Sequence, residues 1–182
     1  MSITLQGSLI RRICLNALLC AFAMMLSYLE VLLPLSALVP LPGMRLGLSN
    51  LAVTLVFVFL SPVDAALVSF VRILLMGLLF GSPTSFYFSL MGGTASFLLL
   101  LLMKLIGRNC SFFGVSVLSA AAHNLGQIVA AVTIFGTSLI FSYLPILLFA
   151  SLLFGGIVGI LLNLLVPRLA PHLERIKGGG SV

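Results

Sequence analysis

Long apolar runs, broken by proline, glycine and isolated charges, dominate the pattern of this 182-residue chain. The punctuation predicts six helical spans. The first is Ile13 to Leu33, ended by Pro34, and the second is Leu46 to Leu60, turning at Ser61-Pro62. The third runs from Val63 to Phe80 and stops at Gly81-Ser82-Pro83; the fourth runs from Thr84 to Ile106, closed by Lys104, Gly107 and Arg108. The fifth is Phe113 to Phe135, turned by Gly136-Thr137-Ser138, and the sixth is Tyr143 to Val166, before Pro167-Arg168. Pro34, Pro40, Pro42 and Gly43 punctuate the first connection, which cannot be helical throughout. Crossing a hydrocarbon layer about 30 Å thick takes about 20 apolar residues. The pattern therefore predicts an all-α integral membrane protein with six transmembrane helices. Residues 10–170 form one membrane domain, and 171–182 read as a flexible cytoplasmic tail.

Composition agrees. Apolar residues make up 62% of the chain and charged ones 7%, where a soluble domain carries about a quarter charged; mean hydropathy is +1.34. So few charges exclude a soluble enzyme, a disordered chain and a water-facing binding module. The net charge of +6 does not indicate nucleic acid, because the basic residues sit mostly at the ends of apolar runs rather than on one solvated face. With the N-terminus inside, the inner ends hold Arg11, Arg12, Lys104, Arg108, Arg168, Arg175 and Lys177, against Arg45 outside. That asymmetry predicts a multi-pass plasma-membrane protein with both termini cytoplasmic. Arg11-Arg12 before an apolar run imitates a signal peptide, but Ile13 to Leu33 is about 31 Å as a helix, too long for one. Cys14, Cys20 and Cys110 have neither metal nor disulfide spacing and read as small packing residues. The chain has no phosphate-binding G-x-x-x-x-G-K-[ST] loop, so any ATP-derived energy comes from a partner. No cofactor is implied.

The chemistry lies in the few polar residues inside the spans. A charge at the bilayer centre costs about 2.5–3.5 kcal/mol, which makes Arg72 a functional candidate, with a structural ion pair as the competing reading. It sits about 14 Å along its span from the inner edge. His123, Asn124 and Gln127 fall within an arc of about 100° on the fifth span. Ser116 and Ser119 extend that stripe inward. Glu30, Arg45 and Asn50 lie toward the outer ends of the first two spans. The set opens outward, beneath the Pro-rich connection. Arg45, Arg72 and His123 favour a small polar, anionic ligand, unless Glu30 neutralises one arginine. Ser85, Ser89, Gly92 and Ser96, the Gly155/Gly159 pair, and Ala17 with Ala21 read as helix-packing positions.

Four blocks carry a resemblance. They are Pro42-Gly43-Met44-Arg45-Leu46-Gly47-Leu48-Ser49-Asn50; Ser69-Phe70-Val71-Arg72-Ile73-Leu74; Ser89-Leu90-Met91-Gly92-Gly93; and Gly114-Val115-Ser116 followed by His123-Asn124-Leu125-Gly126-Gln127. In this order, over about residues 10 to 170, the chain resembles the Gx transporter family, whose members include proteins named heptaprenyl diphosphate synthase component I. That family is similar to the substrate-binding S components of energy-coupling-factor (ECF) transporters. The resemblance implies a six-helix bundle with an outward site, lidded by the loop between the first two spans. It also implies docking on a transmembrane coupling subunit, with its ATPases, through small residues of the first helix; Ala17 and Ala21 match that pattern. The competing reading is a non-catalytic membrane partner of a prenyl diphosphate synthase or of a quinone- or flavin-linked electron-transfer system. Catalysis by the chain itself is not expected, because holding Mg²⁺ against a diphosphate takes clustered aspartates and this chain has only Asp64.

Overall fold

The computed structural model describes the backbone of residues 2–32, 45, 47–106 and 111–178, and the side chains of 9–32, 45, 47–106, 111–137 and 139–171. The loop positions Pro34 to Met44, with Arg108 and Cys110, lie outside the described residues. Six helices follow in order: α1 Ser2–Leu32, α2 Asn50–Phe59, α3 Pro62–Phe80, α4 Pro83–Ile106, α5 Phe112–Phe135 and α6 Leu144–Gly178, with a short 3-10 turn over Ser138–Tyr143 before the last. The described residues include no strand. Five stretches are long and apolar enough to cross a membrane: Leu9–Leu32, α3, α4, α5 and Leu139–Pro171.

The breaks fall where local chemistry puts them. Ser61 caps α3 by accepting from the Asp64 N–H at 3.1 Å, with Pro62 in the first turn. Ser111 caps α5 by accepting from the Gly114 N–H at 3.1 Å. Gly136, at φ +63°, ends α5 in the left-handed conformation that glycine adopts without penalty.

Two boundaries differ from the sequence expectation. The run Leu46 to Leu60 becomes helical only at Asn50, so α2 has 10 residues and reaches about 15 Å, half the hydrocarbon thickness. Gly47 causes this: its φ of +84° turns the chain, and Asn50 N–H then bonds the Gly47 carbonyl at 2.9 Å to start the helix. The sixth span was expected to end at Val166, yet α6 continues through Pro167 and Pro171 to Gly178. Both prolines are exposed, so the carbonyls they leave unbonded lie on the outer side. Leu165, Val166, Leu169 and Ala170, on the other side, pack against Leu51, Leu55, Phe59, Val158 and Leu162 and hold the helix together.

Helices consecutive in sequence run antiparallel. At one end of the bundle Arg12 of α1 meets Asp64 of α3 at 2.7 Å, and Lys104 at the end of α4 lies 5.4 Å from the Phe57 ring at the end of α2. At the other end Glu30 of α1 meets the chain leading into α2. α5 is the central helix, with close approaches built from small residues. A Cβ at Gly126 would strike the Met91 carbonyl of α4; one at Gly155 would lie 2.8 Å from Val117 and one at Gly159 2.6 Å from Phe113, so α6 seats directly on the α5 backbone. α1 is the least embedded: 6% of its membrane-length window is buried, against 50% for α5.

Candidate functional site

Arg45 and residues 47–49 lead into α2 as non-helical backbone, and Arg45, Gly47 and Ser49 are all buried. Irregular backbone at membrane depth persists only where protein satisfies its polar groups. Here two side chains do so. Gln127 of α5 accepts the Arg45 N–H at 3.1 Å and donates its amide to the Arg45 carbonyl at 2.8 Å. Glu30 of α1 accepts from the N–H groups of Leu48 and, at 3.3 Å, of Ser49. Segment 45–49 is thus strapped between α1 and α5.

One arginine comes to this segment from outside and the other leaves it. Arg72 of α3 is 2% exposed; it donates through Nη1 to Ser27 Oγ of α1 at 3.0 Å and to Ser49 Oγ. Arg45 donates through Nη2 to Ser85 Oγ of α4 at 3.3 Å. No ion pair joins Glu30 to either arginine among the described residues. The centre holds two guanidinium groups and one carboxylate, a net positive charge in a low-dielectric surround.

Several of its atoms have no protein hydrogen-bond partner. They include Arg72 Nε and Nη2, Asn50 Nδ2, both ring nitrogens of His123, Glu30 Oε2 and Ser116 Oγ. His123 is 2% exposed, its ring lodged where a Gly92 side chain would be; a Cβ there would lie 2.9 Å from Nδ1. The nearest polar neighbour of the ring is the Gly92 backbone, at a geometry short of a hydrogen bond. Gly47 separates His123 from Asn50: a Cβ on it would sit 3.1 Å from Asn50 Nδ2 and 3.4 Å from the imidazole. Each unsatisfied buried group costs about 1–3 kcal/mol, and more when charged. A centre whose free atoms are mostly donors matches an acceptor-rich ligand.

The enclosed space is small. Gly47, Asn50, Thr54, Ser116, Ser119 and Gly155 help to line a cavity of about 10 Å³ between α2, α5 and α6, close to the least that holds a water molecule.

Six of the seven residues picked out as ligand-binding candidates therefore surround one segment: Glu30, Arg45, Asn50, Arg72, His123 and Gln127. Asn124 does not join them. Its amide donates to the Leu147 carbonyl at 3.0 Å and to Ser151 Oγ at 2.8 Å, tying α5 to α6. Ala17 and Ala21 are exposed on α1, beside Leu18 at 66% and Met25 at 52%. The sequence reading passed over Ser27, which accepts from Arg72; its place one turn before Glu30, on the same helical face, was the available signal. It also passed over Ser49 as a partner of Arg72, since no periodicity pairs a loop hydroxyl with a helix two elements away. No cluster of three metal-ligating side chains occurs among the described residues.

No curated protein and no solved structure matches the chain. A family model does, over residues 19–165, which takes in α2 to α5, the second half of α1, the apolar part of α6 and every residue of the strapped centre. This multi-pass helical membrane protein belongs to the family described as heptaprenyl diphosphate synthase component I.

Proposed function

We propose that the chain is the ligand-binding membrane subunit of an ECF-type transporter, taking up a small polar anion from outside. The observation that carries this reading is the buried polar centre, with Arg45 and Arg72 outnumbering Glu30 and with Arg72 Nε and Nη2 unpartnered. A merely structural arginine inside a membrane domain would be matched by an acid or saturated by carbonyls. Arg72 instead spends one nitrogen on two serines and leaves two free. Its role is to receive anionic oxygens. Asn50 and His123 add neutral hydrogen bonds, and the positive end of α2, which begins at Asn50, points the same way.

In this reading segment 45–49 is the inner hem of the lid. Gln127 and Glu30 hold it shut through backbone bonds, so opening costs hydrogen bonds that water or ligand replaces rather than a packed core. Ala17 and Ala21 form the contact with a coupling subunit, which brings the ATPases. The nearly uncovered outer face of α1 supports that role. Both termini face the cytoplasm, in line with the charge asymmetry of the helix ends.

The family description favours a second reading, a membrane partner within a prenyl diphosphate synthase assembly. It names a component, and Asp64, the chain's one aspartate, is engaged by Arg12, Asn16 and Ser61 at the opposite end from Glu30. Mass spectrometry of the purified protein separates the two. A small polar anion released on denaturation, lost in Arg72→Gln, supports transport. Capture of a prenyl synthase subunit, with no such anion, supports the second reading.

A further inference from the structure

A second cavity lies beside the polar centre and opens not toward the lid but sideways. Between α3 and α4 lies a groove of about 220 Å³, lined by Ala66, Ser69, Ile73, Leu90, Gly93 and Thr94 among others, nearly all through apolar atoms. Phe70 and Leu98 form its rim and are 54% and 62% exposed, so it faces outward from the bundle. In a membrane domain this side meets hydrocarbon.

The floor of the groove is the back of the arginine site. A Cβ on Gly93 would lie 3.7 Å from Ser69 Oγ and 3.9 Å from Arg72 Nη2, the nitrogen that has no partner. The missing side chain of one glycine is what brings the groove up to a buried guanidinium. The remaining wall is the tip of Ile73, whose Cδ1 would lie 2.7 Å from that same Cβ. A terminal methyl of isoleucine moves by a rotamer change, unlike backbone. An anionic group on Arg72 is therefore one side-chain rotation away from a hydrocarbon-facing trough.

From this juxtaposition we infer that the groove is a lateral seat for the chain of a single-tailed anionic amphiphile, with the head on Arg72 and the tail passing Gly93 into the space between α3 and α4. The inference rests on reading the polar centre as a ligand site, and it specifies the class of ligand. A fully polar anion would have no use for the trough. A neutral or cationic amphiphile would leave Arg72 unpaired or repelled, a cost that grows in low dielectric. Substrate would then arrive from the outer leaflet as well as from water.

The chain has no tryptophan, so Leu98→Trp at the exposed rim gives a single fluorescent reporter. In phosphatidylcholine nanodiscs it is titrated with 12-bromododecyl phosphate and, in parallel, with 12-bromododecyltrimethylammonium, whose bromine quenches equally on contact. The expected result is saturable quenching by the phosphate at least tenfold tighter than by the ammonium, with inorganic phosphate competing. Thr94→Phe, at an exposed rim position, should abolish the saturable component by filling the groove. Arg72→Gln should erase the preference for the phosphate head. Equal quenching by both heads, or quenching indifferent to Thr94→Phe, overturns the inference. If neither amphiphile saturates while the purified protein still carries a small anion that Arg72→Gln loses, the groove assignment falls and the ligand site stands. If no anion of either kind depends on Arg72, both fall.

Discussion

The Gln127 side chain closes a two-bond ring with the backbone of Arg45, accepting its N–H at 3.1 Å and donating to its carbonyl at 2.8 Å. The residues are 82 positions apart, and the pairing imitates one rung of a β-ladder. A side-chain amide suits this because it offers a donor and an acceptor side by side. Gln127→Ala removes both and leaves two buried backbone groups unmatched, at about 1–3 kcal/mol each if water does not reach them. The expected outcome is a thermal midpoint several degrees lower in detergent, followed by circular dichroism. Gln127→Glu keeps an acceptor for the Arg45 N–H but as a carboxylate cannot donate to the Arg45 carbonyl, so its midpoint should also fall below that of the native protein. Equal midpoints for the glutamate variant and the native protein would disprove the ring.

Arg72 is where stability and binding separate. Arg72→Gln retains a donor for Ser27 and Ser49 but loses the charge. The expected outcome is a modest stability change together with loss of a charge-assisted contact, typically about 1.5–3 kcal/mol, or roughly ten- to a hundredfold in affinity. Asn50→Ala, which removes a neutral donor, should cost about 0.5–1.5 kcal/mol of binding. The retained fraction of the co-purifying anion, compared by mass spectrometry across the two variants, measures the order. If Asn50→Ala loses more ligand than Arg72→Gln, the anionic reading fails.

How much of this was legible in the sequence follows from what periodicity encodes. Helical spacing puts His123, Asn124 and Gln127 on one arc, and the structure keeps all three buried. Spacing says nothing about which neighbour lies opposite each one. Asn124 meets α6 and becomes a tie, whereas Gln127, one turn on, meets the chain entering α2 and becomes a clasp. The length of α2 was misread for a related reason. Leu46, Leu48 and Leu51 look like continuing helix, yet the turn depends on the φ of Gly47 and on an acceptor, the Glu30 carboxylate, from a helix distant in sequence. Conversely, Pro167 reads as a stop because local propensity opposes helix, while the packed face of Leu165 and Leu169 outweighs it. The membrane class, the helix order and the shared depth of Glu30, Arg45 and Asn50 rest on hydropathy and distance along the spans, which sequence carries well.

Asp64 anchors the opposite end, holding Arg12 at 2.7 Å, Asn16 at 2.9 Å and the Ser61 hydroxyl at 2.7 Å. Arg12 is half exposed and Asp64 nearly buried, so the ion pair itself is worth little while the carboxylate as a hub is worth more. A double-mutant cycle with Arg12→Ala and Asp64→Ala should give a coupling energy below about 1 kcal/mol. Asp64→Ala alone should destabilise clearly more than Arg12→Ala, because it strips partners from three side chains and removes an acid from the first turn of α3. Equal single-mutant losses in denaturant unfolding would contradict the hub.

Orientation is testable without a ligand. The positive-inside asymmetry predicts Arg12 and Lys104 on the cytoplasmic side and the loop before Arg45 outside. On a background with the native cysteines replaced, Ser36→Cys should react with a membrane-impermeant maleimide in intact cells, and Ser61→Cys only after permeabilisation. The reverse pattern would invert the topology and remove uptake from outside.

Ala17 and Ala21 lie one turn apart on α1, both exposed, on a helix whose membrane window is 6% buried. Small residues there serve no close contact within the chain, unlike Gly155 and Gly159, which seat α6 on α5. If α1 docks on a coupling subunit as proposed, the two alanines leave a shallow track for a partner helix at short range, where packing rather than hydrophobicity drives association in lipid. Ala21→Trp adds a ring that fills the track without touching the core, since Ser27, Glu30 and Ala23 carry the buried side of α1. The expected outcome is an unchanged thermal midpoint and unchanged anion retention, with loss of the coupling subunit on affinity purification. Ala21→Gly, which keeps the track open, should co-purify with the subunit. If the tryptophan variant retains the coupling subunit in native amount, the two alanines are not a docking surface. α1 then meets lipid there, and the transport reading has to find its partner elsewhere.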